Sequence, residues 1–174
     1  MNKLDNHYLQ WLASVIGKPR DFPKKIAVVY CEDVDPLLNW VGEKVIGKHL
    51  YSVVRSSKQT EKLCKNLAGP HLLIYFPDAD ENNLTETMEK MIPLMTRRER
   101  LVHIDGVEMG IKTQYSHFVI GVKKKESLNY FRGDDRFLIV NEEKIDKEKT
   151  NKLVVSSTDE MANIFMTYLL SFAK

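Results

Sequence analysis

The sequence predicts an α/β fold in which helices cover both faces of a mainly parallel central sheet. Apolar runs of strand length alternate with helical patterns through most of the chain, which is typical of parallel strands joined by helices. The run H-L-L-I-Y-F from His71 to Phe76 is continuously apolar, as in a strand buried on both faces. The stretch from Lys24 to Trp40 reads as a strand, a sharp acidic loop and a helix.

The first half of the chain is assigned from its helix and strand signals. Apolar residues at helical spacing predict a first helix over Tyr8 to Ile16, which stops at Gly17. Pro36 suits the first position of the next helix, which Asp35 can cap and which continues to Gly47. The other elements of this half are a strand at Ile26 to Tyr30, an extended run at Leu50 to Val54, a short helix capped by Ser57, and His71 to Phe76, which we interpret as the central strand.

The second half adds a hairpin, two strands and a last helix. The stretch L-V-H-I-D-G-V-E-M-G-I-K-T-Q-Y from Leu101 to Tyr115 indicates an inserted β-hairpin. Ser157 and Glu160 form a capping box for a last helix with an apolar stripe. The stripe is Met161, Ile164, Phe165, Tyr168, Leu169 and Phe172, and the remaining elements are a helix from about Asn83 to Met95 and strands at His117 to Val122 and Arg136 to Val140.

Composition indicates an ordinary globular protein. The 174 residues are expected to form a single domain spanning 1–174. A net charge of +2 is too small to indicate a nucleic-acid-binding protein. No apolar run reaches the length of a membrane span, and the N-terminus lacks the apolar core of a signal peptide, so we expect no membrane contact and a cytoplasmic location. Cys31 and Cys64 are interpreted as core thiols, and no metal site or cofactor is predicted.

Acidic residues follow the predicted strands at the sheet edge where α/β proteins bind ligands. One interpretation is a magnesium site, and with it a small phosphoryl-transfer enzyme or nuclease. The alternative is that turns favour Asp and helix N-termini favour negative charge, and the spacing matches no metal motif. The residues concerned are Asp33, Asp35, Asp78 and Asp80.

Two basic clusters are candidates for nucleic-acid contact, with nearby aromatic side chains available to stack on bases. The competing interpretation is that these cations follow a helix end and a strand end and are simply solvated. The first cluster is Arg97, Arg98, Arg100 and Lys112, the second is Lys123, Lys124 and Lys125, and the aromatic residues are Tyr115, Tyr130 and Phe131.

The order of these landmarks resembles the helicase domain of superfamily 3, the AAA+ type found in phage, plasmid and viral primase-helicases. The stretches concerned lie between Tyr8 and Val140. Y-L-Q-W-L-A-S-V-I with P-R-D-F-P-K-K-I-A-V-V resembles the family's first helix and core strand, and H-L-L-I-Y-F-P-D-A-D its Walker B strand. L-V-H-I-D-G-V-E-M-G-I-K-T-Q-Y-S-H-F-V-I-G-V resembles its pre-sensor hairpin and sensor strand, and D-D-R-F-L-I-V the segment with its arginine finger, with Arg136 in the matching place.

The catalytic elements depart from the family's pattern. The loop after the first strand lacks the Walker A glycines, lysine and hydroxyl residue, and its acidic side chains would repel a phosphate. Asp78 and Asp80 are a displaced remnant of the Walker B acids, and Gly121 to Lys123 replaces the sensor Asn. The hairpin tip is acidic where the family tends to carry a basic residue, and Arg136 alone is retained.

The resemblance therefore implies a pseudo-ATPase rather than an enzyme. We expect an AAA+-like accessory protein of phage or mobile-element DNA replication that binds a protein partner, such as an active helicase, with DNA as an open second ligand and no catalytic residues. Two alternatives remain: the magnesium-dependent enzyme, and a stand-alone nucleic-acid-binding module. Oligomeric state and strand order are left open.

Overall fold

Five parallel strands form the central sheet of the computed structural model. The structure describes residues 6–21, 25–30, 34–55, 59, 71–77, 88–89, 92–93, 95–97, 99–104, 107–113, 115–141 and 158–172. The predicted short helix after Ser57 lies outside these residues. The strands of the sheet are β1 (Ile26–Tyr30), β2 (Tyr51–Val53), β3 (Leu73–Phe76), β6 (His117–Val122) and β7 (Phe137–Asn141).

The strand order is β2-β3-β6-β1-β7, so the middle strand is β6. The interpretation of His71 to Phe76 as the central strand is therefore wrong, although this strand does lie inside the sheet. A continuous apolar run shows that a strand is covered on both faces, whereas its position depends on how the crossovers run. Here β6 separates β1 from β3. The family resemblance compares β6 with the sensor strand and β3 with the Walker B strand.

Helices cover both faces of the sheet, as predicted. On one face the buried side chains of α1 (Asn6–Gly17), α2 (Val34–Trp40) and α3 (Asp159–Phe172) pack on alternate strand residues such as Ala27 and Val29. On the other face Met88, Met95, Leu128 and Phe131 pack on the intervening residues. The described part of the predicted helix over Asn83 to Met95 is helical at residues 88–89, 92–93 and 95. The parallel sheet with helices on both faces is an α/β fold, consistent with a P-loop-like architecture.

The helix after β1 begins at Val34, two residues before the predicted start. Asp35 therefore lies in the first turn and is not the cap. Pro36 is still tolerated because the first-turn N–H groups of a helix have no intrahelical partner. The helix continues as a π-helical segment over Val41–Gly47, and Gly47 ends it with a φ of 105°, a conformation that favours glycine.

The predicted hairpin is present as two antiparallel strands, β4 (Glu99–Ile104) and β5 (Val107–Thr113). They form a sheet of their own, separate from the five-stranded sheet. Ile104 pairs with Val107 across the turn, and the register is irregular between Val102 and His103. The acidic tip position Asp105 lies outside the described residues. The hairpin is therefore an insertion between β3 and β6, as the sequence predicts.

The last helix, α3, begins at Asp159 and is capped by Thr158, whose hydroxyl oxygen accepts a hydrogen bond from the Met161 N–H at 3.3 Å. The predicted cap, Ser157, lies outside the described residues. A hydroxyl one residue later serves because it reaches the third N–H of the helix. The predicted apolar stripe is correct for Leu169, which is buried. It is wrong for Ile164, which is 62% exposed.

Removing this cap is expected to lower the free energy of unfolding. The variant Thr158→Ala leaves the Met161 N–H without its side-chain acceptor, so we expect a loss of about 1 kcal/mol in urea denaturation. The control is Thr167→Ala, an exposed threonine inside the same helix, where alanine's higher helix propensity should keep stability equal or raise it. Equal losses in the two variants would contradict the assignment.

Candidate functional site

The ends of β1 and β6 lie side by side at the carboxyl edge of the sheet. The chain leaves β1 into α2 on one face, whereas it leaves β6 towards Leu128 and Phe131 on the opposite face. Neighbouring strands whose connections depart to opposite faces form the switch point where open α/β sheets bind ligands. Tyr30 and Val122, the last residues of the two strands, pair in register at this point. The switch point is therefore the position at which the candidate site residues are compared.

Asp35 stands at this edge and is already bound by the protein. Its carboxylate accepts a short hydrogen bond from the hydroxyl of Tyr75, a residue of β3 that is 1% exposed. Its second oxygen lies 3.7 Å from the Arg55 guanidinium, and the Asp35 side chain is 38% exposed. The first turn of α2 therefore carries a negative charge that the sheet holds in place.

Gly121 makes this contact sterically possible. A Cβ atom at this position of β6 would lie 2.7 Å from the Tyr75 hydroxyl oxygen and 3.2 Å from its ring. The Tyr75 side chain thus passes over Gly121 on its way from β3 to α2. A side chain at this position and the Tyr75–Asp35 contact therefore exclude one another.

A second tyrosine supports the same region. The Tyr51 hydroxyl donates a hydrogen bond of 2.9 Å to the Asn39 amide oxygen on α2. Burial raises the pKa of Tyr51, and the negative charges of Asp35 and Glu43 raise it further, so its hydroxyl keeps its proton as a donor. The tyrosines of β2 and β3 therefore both donate to α2.

The predicted acidic group is only partly placed. Asp33, Asp78 and Asp80 lie outside the described residues, and Asp35 has Tyr75 and Arg55 as partners. Within the described part of the chain, no group of three or more His, Cys, Asp or Glu residues is arranged to hold a metal ion. The magnesium site stays an alternative that these residues do not test.

Arg136 lies at the opposite, amino edge of the sheet. It directly precedes β7, and its backbone oxygen accepts from the Ile26 N–H at the start of β1. Its guanidinium Nε donates to both carboxylate oxygens of Asp134, at 2.9 and 3.0 Å. These hydrogen bonds lower the pKa of the Asp134 carboxyl below its usual range. Contact with a neighbour's nucleotide would require Arg136 to leave Asp134.

The basic candidates fall at two places. Arg100 and Lys112 pair across the hairpin near its base, and exposed Arg97 precedes it. Arg98 lies outside the described residues. The second cluster, Lys123, Lys124 and Lys125, is exposed directly after β6 at the switch point.

Comparison with known proteins relates the fold to solved structures. No family model matches the chain, and no curated protein does. An apo A-form structure of the NrS-1 C-terminal region matches with a TM-score of 0.65 at 14% identity, over 97% of this chain and 43% of that one. The fold is similar to that of the NrS-1 C-terminal region.

Two further NrS-1 C-terminal structures agree. A second A-form apo structure gives a TM-score of 0.52 at 14% identity and covers 97% of this chain and 38% of that chain. Another apo structure gives a TM-score of 0.55 at 11% identity and covers 97% of this chain and 47% of that chain. This chain thus spans less than half the length of these NrS-1 chains, and the likeness is one of fold.

Sequence reasoning missed two residues of functional interest. Tyr75 was read as an apolar strand residue, although a tyrosine in a buried run is a signal for a hydrogen-bond partner. From the sequence, His117 is only the first residue of a predicted strand. It is 4% exposed at the start of β6, and its ring lies edge-on to Trp11 with centroids 6.4 Å apart. Neither ring nitrogen has a hydrogen-bond partner among the residues that the structure describes. No described helix is long and apolar enough to cross a membrane.

Proposed function

We propose that this chain is a non-catalytic AAA+-like domain of phage or mobile-element DNA replication, which works by binding a partner protein. NrS-1 is a phage primase-helicase, and its C-terminal region has a similar fold over 97% of this chain. The sequence pattern between Tyr8 and Val140 resembles superfamily 3 helicases independently of that likeness. Fold and pattern both support a role in replication.

The observation that carries the non-catalytic part is the hydrogen bond from Tyr75 to Asp35. A helix N-terminus binds phosphate through free N–H groups and its positive dipole end. In α2 the first turn holds the Asp35 carboxylate and a proline, Pro36, which has no N–H to donate. Charge and lost donors both oppose a triphosphate at this position.

The sensor position supports the same conclusion. An ATPase of this class uses a polar side chain to orient the attacking water, and the segment Gly121 to Lys123 stands in place of the family's sensor Asn. Gly121 has no side chain, and the Tyr75 hydroxyl lies where one would begin. A sensor side chain at Gly121 would therefore require removal of the contact that fixes Asp35.

Nucleotide binding tests this proposal directly. We expect no heat of binding when ATP or ADP is titrated with Mg²⁺ into the whole chain, and no phosphate release, because the first turn of α2 repels phosphate. ATP hydrolysis that disappears in the Asp78→Asn, Asp80→Asn variant would contradict the non-catalytic assignment. Mg²⁺ binding weakened by Asp33→Asn would instead favour the magnesium-dependent enzyme.

The partner is proposed to be an active replication ATPase, to which Arg136 is offered in trans. Mixing the chain with a replicative helicase of the same element should then raise ATP turnover in the absence of DNA. The Arg136→Ala variant should lose this increase, since an arginine finger is worth about 1,000-fold or more in turnover. The matched control is Arg132→Ala, an exposed arginine four residues away in sequence, which should keep it.

A further inference from the structure

We propose that the connection between β6 and β7, residues Lys123 to Arg136, forms a binding surface for single-stranded nucleic acid. We call these residues the crossover strip. The inference goes beyond the proposed function and does not depend on it, because the strip lies on the face of the sheet opposite to α2. Its binding can be measured whether or not the chain binds ATP.

The strip runs the full length of the sheet. It leaves β6 after Val122, which pairs with the last residue of β1, and enters β7 at Phe137, which pairs with Ile26, the first residue of β1. The chain therefore passes over β1 from the carboxyl edge to the amino edge. The five residues of β1 span roughly 17 Å, which corresponds to about five stacked nucleotides.

Buried residues anchor the strip to the sheet. Leu128 and Phe131 are both 0% exposed and pack among the strand residues of this face. Leu128 lies within a 3₁₀-helix over Lys125–Tyr130, and the Phe131 N–H closes this helix by donating to the Leu128 carbonyl at 3.1 Å. The exposed residues of the strip are thus presented on a fixed backbone.

The exposed charge of the strip is positive. The strip has five cations and three acidic residues, Glu126, Asp134 and Asp135, so these 14 residues carry +2, as much as the whole chain. Its cations are exposed, with Lys123, Lys124 and Lys125 at the carboxyl edge and Arg132 near the amino edge. Asp134 follows, but Arg136 binds its carboxylate. A phosphate backbone fits such a surface.

An exposed aromatic ring favours nucleic acid over an acidic protein as the ligand. Tyr130 is 41% exposed and lies edge-on to Phe131, with centroids 5.1 Å apart and an interplanar angle of 78°. Phe131 is held in turn by Phe137, at 4.9 Å. Buried rings therefore fix an exposed one between the two cationic ends of the strip, where a base can stack on it.

Binding of a fluorescein-labelled dT oligonucleotide of about 20 nucleotides, followed by anisotropy, tests the charge of the strip. We expect affinity to fall linearly with salt on logarithmic axes between about 50 and 200 mM. The variant Lys123→Ala, Lys124→Ala should reduce that slope by about 1.4, since each phosphate contact on a single strand contributes ~0.7. The matched control, Lys44→Ala, Lys48→Ala, removes two exposed cations from the opposite face and should leave the slope unchanged.

A second pair of variants tests the ring. Tyr130→Ala should weaken binding about tenfold through lost base stacking. Leu170→Ala is the control, because Leu170 is a large apolar residue that is 43% exposed on α3, outside the strip, and this variant should bind like the wild type. Circular dichroism melts verify that each variant folds.

Four outcomes would overturn the inference: no binding by the wild type, salt-independent binding, equal losses in a variant and its control, or competition by poly-glutamate as effective as by unlabelled oligonucleotide. The last would assign the strip to an acidic protein. Failure here leaves the nucleotide titrations of the proposed function unaffected.

Discussion

We expect the protein to lose about 3 kcal/mol of unfolding free energy as the pH falls from 6.5 to 4, because His117 cannot accept a proton in the folded state. Burial lowers the pKa of His117 from 6.5 to about 4, and the weaker opposite influence of Asp21 does not offset it. Between these values the unfolded chain binds more protons, so stability rises with pH. The contribution is complete above pH 6.5 and disappears as the pH falls towards 4.

Urea denaturation at several pH values measures this loss. In His117→Phe an apolar ring of similar shape keeps the edge-on contact with Trp11 and cannot titrate, so the stability curve should flatten over this pH range. The control is His49→Gln, which removes an exposed histidine and should retain the wild-type pH dependence. If His117→Phe followed the same curve as the wild type, the buried neutral histidine would not be its cause.

The second large effect is expected at Gly121. Alanine there places a Cβ atom 2.7 Å from the Tyr75 hydroxyl oxygen, and Tyr75 is too deeply buried to withdraw. Overpacking of this kind costs about 2–3 kcal/mol. In a Tyr75→Phe background the oxygen is absent and the nearest ring atoms lie at 3.2 and 3.3 Å, so the cost of Gly121→Ala should fall to about 1 kcal/mol.

A double-mutant cycle isolates this contact. Tyr75→Phe alone loses the hydrogen bond to Asp35 and should cost about 1.5 kcal/mol, because Asp35 remains partly solvated. The double variant should therefore be more stable than the sum of the two losses predicts. Tyr51→Phe is the control background, since Tyr51 donates to Asn39 and should leave the cost of Gly121→Ala unchanged. Additive losses in the Tyr75 cycle would contradict the packing.

The elements of this fold could be predicted from local pattern, but their arrangement could not. The run ending at Phe76 identified a buried strand because burial leaves a continuous apolar signature. Its place beside β6 depends on crossovers between distant segments. Likewise the charge of Asp35 was evident, whereas its partner Tyr75 lies 40 residues further along the chain. For His117, a histidine in an apolar run indicates burial, whereas its lack of hydrogen-bond partners within the described part of the chain depends on the tertiary packing.

The packing of α1 against α3 has a consequence for synthesis of the chain. The buried side of α1 includes Trp11, Leu12 and Val15, and part of its cover comes from Ala162 and Leu169. Ribosomes release α1 first and α3 about 150 residues later, at roughly 5–20 residues per second. For several seconds the nascent chain therefore exposes part of the apolar face of α1. Chaperones at the ribosomal exit tunnel bind such apolar surfaces.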